Sequence, residues 1–149
     1  MKSIKLSTKS IGMDSAPIVA ESIRNVANTL ERADVSDIIA GRPEKEVLQV
    51  LQIVSAALAE CSKLLHVNIS DNALGEKGIR ACGEVLTSST SLEELYLQNI
   101  GCSVNACKAV AELVTCSTLK LVHLFNNMSD NAGAQHIADL LARNPNMEV

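Results

Sequence analysis

The sequence predicts an α/β solenoid of about five strand–helix repeats with a parallel sheet on its concave face. Three observations carry this. A pattern L-x-x-L-x-L-x-x-N recurs along the 149 residues; its spacing of about 28 residues suits one short strand plus one helix; and apolar residues at helical spacing follow the strand positions at matching offsets. The copies are Met1, Ile4, Leu6, Lys9; then Leu30, Ala33, Val35, Ile38; then the clearest, Leu64, Val67, Ile69, Asn72; then Leu92, Leu95, Leu97, Ile100; and last Leu119, Val122, Leu124, Asn127. Anchors at 1, 30, 64, 92 and 119 lie 29, 34, 28 and 27 residues apart. The expected architecture is therefore one leucine-rich repeat domain spanning 1–149.

Each copy alternates inward and outward side chains along a short strand, and a turn and a helix follow it. In the second repeat the helix starts at Glu44, because Pro43 fixes the backbone directly after Arg42 and disfavours helix there. The 34-residue interval places its excess in a lengthened rim loop, residues 37–46, where functional groups tend to sit. In the third repeat Gly78, Ile79, Cys82, Val85 and Leu86 share one helical face. The fourth supplies Ala106, Cys107, Val110, Leu113 and Val114 at the same offsets, and the fifth Gly133, Ala134, Ile137, Leu140 and Leu141. A single repeat cannot bury its own apolar face, so neighbours supply most of the stability. Met147-Glu148-Val149 reads as the opening of a sixth repeat. The expectation is the N-terminal half of a longer solenoid, with a frayed last repeat.

Composition narrows the function. Apolar residues make up 47% of the chain and aromatics 1%, and the net charge is −4. These values argue against stacking platforms for single-stranded nucleic acid and against nucleic-acid partners generally. No apolar run reaches the roughly 18 residues of a membrane span, and the N-terminus lacks the layout of a secretory signal; a cytoplasmic protein is the expectation. The five cysteines form no C-x-x-C pair. Cys61 and Cys116 precede repeat anchors, while Cys82 and Cys107 occupy helix positions filled elsewhere by apolar residues, so these four read as small buried hydrophobes. Cys102, in a turn, is expected to be the exposed one.

Outward strand positions form columns across the sheet. The first reads Lys5, Asp34, Asn68, Tyr96, His123; the second Ser7, Ser36, Ser70, Gln98, Phe125; the third Thr8, Asp37, Asp71, Asn99, Asn126. Such a face suits a protein partner, with Tyr96 and Phe125 as aromatic anchors. Arg42, presented at the rim, can reach a phosphate or carboxylate of a partner or pair with Glu44 or Glu46 as a surface ion pair. Hydrolase constellations fail. His66 lies just before a strand, His123 on the concave face and His136 on a helix, and neither a nucleophile elbow nor a phosphate-binding glycine loop is present. A Cys102–His123 pair is the one conceivable nucleophilic arrangement. No cofactor or metal is expected.

Four segments carry a resemblance to a known family. Residues 36–44, Ser-Asp-Ile-Ile-Ala-Gly-Arg-Pro-Glu, together with Ile69-Ser70-Asp71-Asn72-Ala73-Leu74-Gly75, Leu92-Glu93-Glu94-Leu95-Tyr96-Leu97-Gln98-Asn99 and Phe125-Asn126-Asn127-Met128, resemble segments of the GTPase-activating proteins of the Ran GTPase, particularly the plant branch. The resemblance implies that the chain stimulates GTP hydrolysis on a Ran-type small GTPase in its GTP-bound form, with no enzymatic activity of its own. It implies that Arg42 matches the family's loop arginine, which is not an inserted arginine finger. Asn99 matches an asparagine that helps organise the catalytic glutamine of the GTPase. Asp37, Asp71, Tyr96, Gln98, Phe125 and Asn126 are the implied partner contacts. Full-length plant relatives also carry a nuclear-envelope targeting domain with a Trp-Pro-Pro motif, and this sequence has no tryptophan. Around Asn99 the sequence departs from the family, with Ile100-Gly101-Cys102 in place of a polar residue before glycine. The alternative reading is a non-catalytic, ribonuclease-inhibitor-like binding module using the same face.

Overall fold

The computed structural model describes residues 1–127 and 129–148; Met128 and Val149, which figure in the last resemblance and in the sixth-repeat expectation, lie outside them. Five strands, β1 (Ser3–Lys5), β2 (Arg32–Asp34), β3 (His66–Asn68), β4 (Glu94–Tyr96) and β5 (Leu121–His123), form one parallel sheet in sequence order. Ile4, Ala33, Val67, Leu95 and Val122 stand in register across it. The next inward position holds Leu6, Val35, Ile69, Leu97 and Leu124. Repeats with a neighbour on both sides bury these residues completely or nearly so, while Ile4, Leu6, Val122 and Leu124 in the first and fifth repeats are only half-buried.

The helices are α1 (Ala16–Arg24), α2 (Glu44–Ala59), α3 (Gly75–Ala81), α4 (Gly83–Ser88), α5 (Val104–Leu113) and α6 (Asn131–Ala142). They pack in repeat order: α1 against α2, α2 against both α3 and α4, α3 against α5, and α5 against α6. Ser103 caps α5 by accepting from the Ala106 N–H, and Asp130 caps α6 by accepting from Ala132 and Gly133. None of the described helices is long and apolar enough to cross a membrane.

Four sequence expectations need correction. The third repeat has two helices, broken at Cys82 (φ −83°, ψ 9°). One N–H freed near the start of α4, that of Val85, donates to the buried Ser55 Oγ of α2 at 3.0 Å, so the break is satisfied from the neighbouring repeat. The long second interval is shared between the β2–α2 connection and a 16-residue α2, rather than placed wholly in the loop. In α6, Ala134 and Leu141 are exposed and Ile137 half-buried, leaving Gly133 and Leu140 as its buried positions. His66 lies inside β3, opposite Glu94, rather than before the strand.

The asparagine of the repeat pattern closes the turns. Asn72, 2% exposed, accepts from the Ile38 N–H at 2.9 Å and donates to the carbonyls of Val35, Ile69 and Ser70. Asn127 does the same for the fourth repeat, accepting from Ile100 and Cys102 and donating to Leu97 and Leu124. Each asparagine thus supplies the turn of the preceding repeat, at the position where that repeat carries isoleucine.

Candidate functional site

Just beyond each strand, on the same edge of the sheet, the chain turns through a left-handed residue: Thr8 (φ 60°), Asp37 (50°), Asp71 (59°), Asn99 (53°) and Asn126 (55°). A residue with a Cβ pays roughly 1–2 kcal/mol there, least for Asn and Asp, whose side chains bond locally. This is why the third column consists of short polar residues. The turns are held in line by backbone bonds from Asp37 N–H to Ser70 O (3.1 Å), Asp71 to Gln98 (2.9 Å) and Asn99 to Phe125 (3.0 Å). That alignment brings three side chains into a ladder. Asn99 Nδ2 donates to Asp71 Oδ1 at 3.2 Å, and Asn126 Nδ2 donates to Asn99 Oδ1 at 3.1 Å. All three are exposed, whereas Asp37 is half-buried.

The adjoining sheet face holds a cluster that the columns drawn from sequence missed. Glu94 Oε2 lies 2.7 Å from His66 Nδ1, 3.3 Å from Tyr96 OH and 3.5 Å from Arg32 Nη2. Arg32 Nη2 also lies 3.1 Å from His66 Nδ1. One ring nitrogen cannot both accept from Arg32 and donate to Glu94. The shorter distance favours Nδ1–H donating to the carboxylate, which leaves the Arg32–His66 approach a contact and not a hydrogen bond. The bond from His66, then the Arg32 charge and Tyr96, hold the Glu94 carboxyl below its ordinary value against the opposing effect of burial. Burial, followed by the Glu94 charge, pushes the Tyr96 phenol up. Arg32, His66 and Glu94 are paired across neighbouring strands. The strand period of two, counted back from Asp34, Asn68 and Tyr96, would have found them.

From this cluster aromatic rings continue across the face. His66 and Tyr96 have centroids 4.8 Å apart, Tyr96 and His123 meet edge-on at 5.8 Å, and His123 stacks with Phe125 at 6.3 Å. Phe125 is 68% exposed. Gln98 sits between this row and the ladder, its N–H donating to Ser70 Oγ at 3.1 Å.

Arg42 stands apart from the ladder. Its Nε donates to Ser10 Oγ (3.0 Å), Nη2 to Ser10 O (3.2 Å) and Nη1 to Glu46 Oε1 (3.3 Å), while Glu44 pairs with Lys77. Of the two ion pairs the sequence allowed, the one with Glu46 forms. A groove of about 750 Å³ runs from Gly41 and Arg42 past Leu48 to Asp71, Ala73 and Lys77, so Arg42 and the head of the ladder line one concavity.

The nucleophile reading fails on burial. Cys102 is 1% exposed, not the exposed cysteine of the sequence expectation, with its Sγ 3.0 Å from that of Cys107. Burial and then the neighbouring Cys107 push its thiol up to about 12; a neutral, buried thiol is inert. Its turn is fixed from below by Asn127, which accepts its N–H at 3.2 Å. All five cysteines are buried and free. Among the described residues no group of three or more His, Cys, Asp or Glu is placed to hold a metal ion.

No family model matches the chain. Over 94 residues, 63% of its length, it is 48% identical to RAN GTPase-activating protein 1 of Arabidopsis thaliana, and over 118 residues, 77% of its length, 30% identical to Ran GTPase-activating protein 1 of Xenopus laevis. It spans 17% of the first of these proteins and 20% of the second. Among solved structures, the actin-binding site 2 of leiomodin-1 superposes with a TM-score of 0.70 over 97% of this chain and 81% of that one, at 17% identity, which supports the fold alone. The sheet edge that carries Asp71, Asn99 and Asn126 thus belongs to a chain homologous over part of its length to Ran GTPase-activating proteins of plants and animals.

Proposed function

We propose that this chain stimulates GTP hydrolysis on a Ran-type small GTPase in its GTP-bound form, acting in the cytoplasm. The observation that carries the reading is the Asp71–Asn99–Asn126 ladder on a chain with this homology. In such a mechanism the GTPase supplies the catalytic glutamine and Asn99 orients it, so that the attacking water stands in line with the γ-phosphate; the gain comes from positioning. A neutral carboxamide suits this, because it donates and accepts at once. Arg42, already engaged by Ser10 and Glu46, keeps the groove wall in shape and offers its remaining guanidinium edge to an acidic or phosphate group of the GTPase. Asp37, Tyr96, Gln98 and Phe125 add contacts along the edge and face.

The aromatic row from His66 to Phe125 favours a second reading, a binding module that holds a protein partner without acting on its chemistry. One assay separates the two. Single-turnover GTP hydrolysis by Ran, titrated with the chain, gives a maximal rate and a half-saturating concentration. Under the first reading Asn99→Ala lowers the maximal rate far more than it raises the half-saturating concentration; under the second the chain binds and leaves the rate unchanged.

A further inference from the structure

The ladder does more than place Asn99 near two neighbours; it settles which way its carboxamide points. A carboxylate only accepts hydrogen bonds, so the side chain reaching Asp71 Oδ1 must present its nitrogen. That choice turns the Asn99 oxygen toward the fifth repeat, where Asn126 must present its own nitrogen in turn. The polarity of all three groups is thus set by the one charged member. Asn99 uses one of its two N–H bonds and one of its two oxygen lone pairs in the ladder. Asp71 and Asn126 lie in the repeats on opposite sides of it, so the N–H and lone pair that remain share the outer edge of the amide. An edge with one donor beside one acceptor is the complement of another carboxamide.

We propose that Asp71 and Asn126 are positioning residues that hold the Asn99 carboxamide in a single orientation, its free donor–acceptor edge turned to the side-chain amide of the partner. The proposal rests on the GTPase reading for what that edge engages, and on the ladder for the orientation itself. Asp71 and Asn126 act through Asn99, and deleting either leaves the amide free to turn. Without Asp71 nothing fixes its polarity; without Asn126 its oxygen loses the donor that holds it.

Glycine adopts positive φ without strain, so Asp71→Gly and Asn126→Gly remove the side chains and keep the turns. In single-turnover hydrolysis of GTP by Ran, Asp71→Gly lowers the maximal rate about tenfold, with little change in half-saturating concentration. The double variant Asp71→Gly/Asn99→Ala is no slower than Asn99→Ala alone. A double variant slower by a further tenfold would overturn the proposal, since Asp71 would then act independently of Asn99. Relaxation of the Asn99 side-chain nitrogen in the free chain provides a reading that needs no GTPase. The side-chain order parameter approaches the rigid-backbone value of about 0.85 in the parent chain and falls below about 0.6 in either glycine variant; an Asn99 already mobile in the parent overturns the proposal. If the parent chain leaves hydrolysis by Ran unchanged, the GTPase reading fails, and the order parameter still decides whether the ladder orients Asn99.

Discussion

Asn72 shows what one residue contributes to this fold. Its carboxamide meets one N–H and three carbonyls while 2% exposed. Asn72→Ala strands the Ile38 N–H in the interior, and a buried donor without a partner costs about 1–3 kcal/mol. The expected loss is about 2–3 kcal/mol in urea denaturation, larger than for the half-buried Asn127→Ala. Asn72 was legible as the last letter of the repeat pattern, but its partners in the preceding repeat were not, because a pattern records positions and not cross-repeat bonds. The Glu94 cluster shows the opposite case. Its residues fall where the strand period puts them, yet charged residues on a solvated face look alike in sequence until their neighbours are known. Since Glu94 is held below its ordinary value of 4.5 in the folded chain, its stabilising contribution is in place above that pH and lost as the pH falls through the lower folded value. Glu94→Gln therefore flattens the acid side of the stability profile below about pH 4.5, measurable by urea melts from neutral pH downward.

At the scale of elements, the order of strands and helices followed from the repeat spacing, whereas the interior of each helical segment did not. Cys82 sits at an apolar helical offset and still breaks the helix, since the offset specifies which face is buried and not whether the backbone stays continuous. Gly78 lies on the buried face that its spacing predicts, and the structure adds the reason for glycine: a Cβ there would lie 2.7 Å from Leu74 Cβ. Alanine is the better helix former by about 1 kcal/mol, but Leu74 is 6% exposed and its Cβ cannot move without the backbone. Gly78→Ala is accordingly expected to lower the thermal midpoint, with an α3 that shifts away from the core. A rise in the midpoint would show that Leu74 yields. Cys102 is buried although its turn position in the sequence reads as exposed. Here the turn folds over the start of α5, with Cys102 packed on Cys107 and its N–H held by Asn127.

For the whole molecule, the five-strand parallel sheet was legible because every repeat states the same geometry, and errors in one copy are corrected by the others. The ladder of Asp71, Asn99 and Asn126 was half legible. Its column could be read from the repeat, and its direction could not, since that depends on the charge of a single member. A stack whose repeats touch only their neighbours loses protection toward its ends. Amide exchange is expected to be slowest at Ile69 and Leu97, whose N–H groups bond into the next repeat from buried inward positions, and faster at Leu6, which is half-buried in the first. Uniform protection would contradict that picture. The central claim is that this sheet edge acts on a GTPase, and the most direct test is single-turnover hydrolysis of GTP by Ran with the parent chain, Arg42→Ala and Asn99→Ala. The account predicts acceleration by the parent chain and loss of most of the maximal rate in Asn99→Ala with affinity largely retained; a folded parent chain that leaves the rate unchanged would contradict it.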